Sequence, residues 1–150
     1  MKYDTATPYI ASYVIVRQEG KIAFVLRSNT TWMNGFYGLP SGKVEKKENY
    51  LNAAIREAKE EIGIDIDKAD LEHALTMHRQ EESGNRDNMW VDMFFEVKKW
   101  QGEPINAEPN VHGELVWLDP AKLPKNVVPS VKYALKHIEA GQTYAEYGWE

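Results

Sequence analysis

The chain has 150 residues, 43% of them apolar and 27% charged, and a formal net charge of −5. That length suits one domain, residues 1–150, with a sizeable core, and the negative charge argues against a broad basic surface for nucleic acid. The absence of cysteine excludes disulfides, zinc–thiolate sites and cysteine nucleophiles, and it fits a cytoplasmic protein. "MKYDTATPYIASY" has no apolar leader, and no apolar run approaches the ~20 residues that cross a bilayer, so no membrane contact is expected.

In chain order, "YIASYVIVRQ" and "IAFVLR" read as two strands joined by a tight turn at Gly20. "NTTWMNGFYGLPSGKVE" is rich in glycine and proline and reads as loop. A helix follows over Glu48–Ile62, stopped by Gly63 as its C′ glycine. "LEHALTMHRQ" and "MWVDMFFEVKKW" read as strands, with the polar "EESGNRDN" as a hairpin turn between them. "QGEPINAEPNVHGE" is loop and "LVWLD" a short strand. "PSVKYALKHIEAG" is a helix that starts at Pro129 and Ser130 and ends at Gly141. The aromatic tail "QTYAEYGWE" has no assigned element. It covers a hydrophobic patch either of its own chain or of a second copy in a homodimer. Strands on both sides of a central helix, with a second helix at the end, predict an α+β fold with a mixed sheet between helices.

On the central helix, Leu51, Ala54, Ile55, Ala58 and Ile62 fall on one apolar stripe that faces the core. Glu57, Glu60 and Glu61 fall on the far side at i, i+3 and i+4. Like charges at that spacing destabilise a helix by a few tenths of a kcal/mol per pair. Glu60 and Glu61 also sit near the C-terminal end, where the dipole disfavours anions. One reading is a solvated acidic face eased by Arg56 and Lys59. The other is a cation site, because three clustered carboxylates supply the oxygen ligands of a hard dication. Without cysteine or paired histidines, Mg²⁺ or Mn²⁺ is favoured over zinc.

The wider spacing bears on that choice. The chain reads Gly42, five residues, Glu48, seven residues, Arg56-Glu57-Ala58, one residue, Glu60-Glu61, one residue, Gly63-Ile64. This resembles the Nudix box of the Nudix hydrolases, with seven fixed glycine or charged positions at the right offsets. At residue frequencies near one in fifteen, chance gives such a match roughly once in 10⁸ windows. Ala58 stands where the family has a bulkier aliphatic residue. It lies on the core stripe, so the difference concerns packing. The flanks "WMNGFYGLPSG" and "GELVWLDPAKLP" are similar to the family more loosely.

The resemblance implies an α/β/α sandwich around a mixed sheet and hydrolysis of a pyrophosphate bond in a nucleoside diphosphate derivative. It implies Glu57, Glu60 and Glu61 as metal ligands, joined by the main-chain carbonyl of Ser41, with Mg²⁺ or Mn²⁺ as the cofactor. Arg56 and Glu48 complete the catalytic set by orienting helix and loop. A further carboxylate beyond the box completes such sites, with Glu108 and Glu114 as candidates and Glu81 and Glu82 behind them. The chemistry suits these residue types: a pyrophosphate repels hydroxide, and cations relieve that charge while a carboxylate takes the proton of water. Gly42 lets the loop approach phosphate without a side chain in the way.

The substrate is less legible. Trp32, Phe36 and Tyr37 precede the box, and an aromatic there stacks on a base or simply packs beside the Gly-Pro turn. Trp90 and Phe95 read as sheet residues. Arg27 and Arg79 meet either phosphates or surface ion pairs. The histidines at 73, 78, 112 and 137 show no ligand spacing. No extra motif marks NADH, coenzyme A, ADP-ribose or dinucleoside polyphosphate substrates. By elimination the expected substrate is a small-molecule nucleotide, a nucleoside or deoxynucleoside triphosphate cut to monophosphate and pyrophosphate. ADP-ribose, nucleotide sugars and dinucleoside polyphosphates are the alternatives. A non-catalytic nucleotide sensor is the alternative of another class, but it gives no account of the intact set of glutamates.

Overall fold

A computed structural model describes residues 4–80 and 88–149. Strands β1 (Tyr9–Gln18) and β2 (Lys21–Arg27) form the expected hairpin. Its turn residues Glu19 (φ 53°) and Gly20 (φ 78°) are both left-handed, the geometry of a two-residue turn matched to strand twist. The predicted loop after them contains two short strands, β3 (Tyr37–Gly38) and β4 (Ser41–Lys43). Helix α1 spans Tyr50–Ile62 and starts two residues later than predicted. The Asn52 N–H donates to the Asn49 side chain as the N-cap, and Gly63 (φ 74°) ends the helix as expected. A short 3₁₀ turn at Lys68–Asp70 leads into β5 (Leu71–Gln80), which pairs with β6 (Met89–Val97). The predicted turn between them falls at residues 81–87, outside the described residues. Strand β7 (His112–Leu118) starts three residues before the predicted one, and α2 spans Pro129–Glu139. The tail forms β8 (Tyr144–Tyr147).

The sheet runs β3-β2-β1-β6-β5-β8, with β4 also on β1 and β7 on β2. It is mixed: β1 pairs with β6, and β5 with β8, in parallel, while the other ladders are antiparallel. Alternate residues of β1 enter opposite cores, as the pleat requires. Val14 and Val16 pack with Ala54, Ala58 and Ile62 of α1, while Ile15 packs with Val131, Ala134 and Leu135 of α2. This is the α/β/α layering expected. Full burial of one such side chain, Ile62, is worth roughly 1.5–3 kcal/mol. Ala58 is fully buried, so it is a packing position. Among the described residues no helix is long and apolar enough to cross a membrane.

The tail belongs to its own chain: Thr76↔Tyr144 through Arg79↔Tyr147 set β8 against β5, and the Trp149 indole N–H donates to the His78 carbonyl. Two readings need correction. Arg79 is not at the surface but in a buried ion pair with Asp92 at 2.6 Å, because register brings the two together inside the sheet. The buried face of α1 is also broader than the apolar stripe. It includes Ala53, Glu57 and Glu61, while Leu51 and Ile55 are only partly buried.

Candidate active site

The site is built on β4. Its ladder to β1 pairs Ser12 with Gly42 and Tyr13 with Ser41. The Val14 N–H donates to the Pro40 carbonyl and the Val44 N–H to the Ile10 carbonyl. Antiparallel bonds alternate, so Gly42 faces β1 and the main-chain N–H and C=O of Ser41 turn away from it. The Ser41 N–H donates to Glu61 Oε2 at 3.1 Å. The Ser41 carbonyl, on the same side of the strand, is directed toward the box helix.

Glu57 and Glu61 lie one turn apart on α1 and face this edge, each only 9% exposed. A Cβ on Gly42 would lie 2.0 Å from Glu57 Oε1 and 2.3 Å from its Cδ, so the glycine makes the space that the carboxylate occupies. This explains how Glu57 is accommodated on a buried face. Both are held above the ordinary carboxylate range. For Glu57 the main cause is burial, offset by Arg56 and reinforced by Glu60 and Glu108. For Glu61 the shift is large, caused by burial first and then by Glu57.

Arg56 ties the loop before the helix to the helix itself. Its Nε and Nη2 donate to the two oxygens of Glu48 at 2.8 and 2.9 Å, Nη1 to Glu57 at 2.7 Å, and Nη2 also to the Lys43 carbonyl at 3.2 Å. Glu48 is held below its ordinary range by that fork, and Glu48 also accepts from the Glu45 N–H. Neither residue adds an open position to the site; both brace it.

The third box glutamate stands apart. Glu60 is half-exposed and pairs with Arg56 at 3.3 Å, the i, i+4 partner that the helix offers. Among the described residues no three His, Asp or Glu side chains converge as placed. As placed, Glu57 and Glu61 lie together at the β4 edge, while Glu60 is turned to Arg56. Of the outlying carboxylates, Glu108 is close enough for its charge to raise Glu57 and Glu61, and burial and Glu60 raise it in turn. Glu114 instead accepts from the Tyr37 hydroxyl at 2.8 Å. Glu81 and Glu82 lie outside the described residues.

Arg27 reaches the site from β2. Burial lowers its pKa, and the charge of Glu61 works against that shift. Its Nε donates to the Trp32 carbonyl and its guanidinium lies 5.2 Å from the Trp32 ring centre. Trp32, Phe36 and Tyr37 are each partly buried and pack against the α2-side core. Two braces escaped the sequence reading: the Ser12 hydroxyl donates to the Tyr50 carbonyl, and the Tyr50 hydroxyl to the Val91 carbonyl. Only a known strand register would have pointed to them.

The donor set fits a hard dication. Two carboxylates that burial and mutual repulsion disfavour as anions are stabilised by a double positive charge. Glycine at position 42 leaves the room that the Glu57 carboxylate takes up, room that a Cβ would fill. One or two carboxylates, with water completing the shell, is the coordination habit of Mg²⁺.

The comparisons agree with this geometry. A family model described as NUDIX domain matches residues 7–138. The chain is 36% identical over 68 residues to an 8-oxo-dGTP diphosphatase of Proteus vulgaris, a match covering 45% of this chain and 61% of that protein. It is 28% identical over 108 residues to a CTP pyrophosphohydrolase of Escherichia coli, covering 71% and 72%. The fold superposes on the crystal structure of a MutT NUDIX hydrolase from Burkholderia pseudomallei with a TM-score of 0.77 at 26% identity, covering 87% of this chain and 97% of that one. The chain belongs to the NUDIX family, and residues 7–138 are its NUDIX hydrolase domain.

Proposed function

We propose that the chain hydrolyses a pyrophosphate bond of a nucleoside or deoxynucleoside triphosphate, giving the monophosphate and pyrophosphate, with Mg²⁺ or Mn²⁺ as cofactor. The observation that carries this reading is the buried pair Glu57 and Glu61, with Gly42 making room for the Glu57 carboxylate. Glu57, Glu61 and the Ser41 carbonyl would hold the dication, with Glu60 able to join once it leaves Arg56. Bound there, the ion supplies charge neutralisation of the diphosphate and a more acidic water.

The chain's own residues do the rest. Hydrolysis consumes one water and breaks one bridging P–O bond, so a base must take a proton. Glu108 is suited to this: it is raised above the ordinary carboxylate range by burial and Glu60, and among the described residues no cation pairs with it. Arg56 and Glu48 fix the loop, and Gly42 keeps the approach open. Arg27 brings positive charge to the anionic substrate. The names of the Proteus vulgaris and Escherichia coli relatives support a nucleoside triphosphate.

The test is a panel of nucleoside and deoxynucleoside triphosphates, ADP-ribose, nucleotide sugars and dinucleoside polyphosphates with Mg²⁺ or Mn²⁺, with products identified. Monophosphate and pyrophosphate from triphosphates are expected. Preference for another member of the panel replaces the substrate, and no product from any of them overturns the hydrolase reading.

A further inference from the structure

Glu108 sits on the segment between β6 and β7, and such a loop places a side chain only if something fixes it. Four sets of bonds do so here. At its start the loop docks on the end of α1: the Ile105 N–H donates to the Ile62 carbonyl, and the Ala107 N–H to the Glu61 carbonyl, both at 3.0 Å. These carbonyls are in the last turn of a helix and lack helical partners, so the loop completes the helix end. At its tip the Glu108 carbonyl accepts from the N–H groups of Val111 and His112. Across its base, Asn106 Nδ2 donates to the His112 carbonyl at 2.9 Å. The Ser28 N–H then donates to the Val111 carbonyl, tying the far side to the end of β2 beside Arg27.

The base of this loop carries an unusual burden. Asn106 Oδ1 and His112 Nδ1 are both buried and have no hydrogen-bond partner among the described residues. His112 is nearly fully buried, and burial together with the Arg27 charge lowers its pKa. Unsatisfied buried polar atoms are destabilising, and apolar residues at both positions would avoid them. What an apolar residue at position 106 cannot supply is the Nδ2 donor that closes the loop.

We propose that Asn106 is a positioning residue: by bonding the His112 carbonyl it closes the Asn106–His112 loop and presents Glu108 to the Glu57–Glu61 pair. This rests on the assignment of Glu108 in the proposed function. Without the bond the loop stays docked on α1 at Ala107 and tied to Ser28 at Val111, but the side-chain brace across its base is lost and the Glu108 side chain is placed less tightly. A displacement of about 1 Å at a reacting group costs on the order of 10²-fold in rate.

The experiment is a double-mutant cycle on the full chain, measuring kcat and KM for the best substrate of the panel and the melting temperature of each protein. Asn106→Ala is expected to lower kcat by about 10- to 100-fold with little change in KM. In a Glu108→Gln background the same substitution is expected to have no further effect on kcat, because it acts through that carboxylate. Additive losses mean that Asn106 serves only the fold, and overturn the inference, as does unchanged kcat for Asn106→Ala. If Asn106→Ala does not fold, Asn106→Asp keeps the shape, removes the donor and carries the same expectations. Unchanged kcat for Glu108→Gln alone instead removes the assignment of Glu108, and is distinguishable from failure at Asn106.

Discussion

Replacing Gly42 by alanine puts a methyl group where Glu57 already stands. The new Cβ would lie 2.0 Å from Oε1 and 2.8 Å from Oε2. An ordinary contact is about 3.5 Å, so one partner must retreat by roughly 1.5 Å. The backbone of β4 is held to β1 on both sides of Gly42 by the bonds to Pro40 and from Val44. The carboxylate therefore yields, and with it the 2.7 Å bond from Arg56. Overpacking of this kind costs about 1–3 kcal/mol, a fall in melting temperature of roughly 2–12 °C for a domain of this size. Turnover suffers more, on the order of 10²-fold, because a group that must sit within a fraction of an ångström is displaced. Initial rates at saturating Mg²⁺ and a thermal melt separate the two effects. Gly38→Ala is the comparison: its Cβ would meet Val128 at 3.8 Å and Arg27 at 3.9 Å, ordinary contacts. If Gly42→Ala turns over at the wild-type rate, or loses only what its unfolded fraction explains, Glu57 is not held for chemistry.

Glu61→Gln should lower turnover by at least about 10²-fold while the protein stays folded, and full activity at saturating Mg²⁺ would reject the ligand assignment. In chelator the same variant should be the more stable protein. A carboxyl raised above its ordinary 4.5 contributes stability below that pH and loses it as pH rises through the folded value, so the advantage of Glu61→Gln should be near zero at pH 4.5 and grow as pH rises above it. His112, lowered from 6.5, and Glu48, lowered from 4.5, titrate in both proteins and cancel in the difference; a flat difference would contradict the buried-charge account. Arg56→Lys keeps the charge but loses the fork to Glu48, and denaturant melts should show a loss of about 1–3 kcal/mol. A melt superimposable on wild type would mean that the bonds to Glu48 and Lys43 do not brace the loop.

The hairpin, the box helix and the two layers of helix were readable because each carries its own punctuation. Gly20 marks a turn, Gly63 closes α1, and Pro129 opens α2, whereas the Asn49 cap does not figure in the sequence reading and α1 starts two residues later than predicted. Strands of two or three residues, such as β3 and β4, have no room for a period-two pattern and read as loop. β8 was invisible because its partner lies far back in the chain, Thr76 opposite Tyr144. The same limit applied within the site. Glutamate spacing predicts a cluster, but which members turn inward depends on the approach of Gly42 and on Arg56 choosing Glu60 as a partner. The choice of Glu108 over Glu114 likewise depended on where β7 begins, since Glu114 lies on that strand and bonds Tyr37.

The last strand also limits how this molecule can stick to others. Without β8, the outer rim of β5 would offer ten residues of unpaired main chain, the kind of template on which neighbouring chains add. With it, that rim ends in a four-residue stub whose indole is fastened back onto His78. A tail that looks adhesive in one dimension acts, once folded, as the fold's own edge guard.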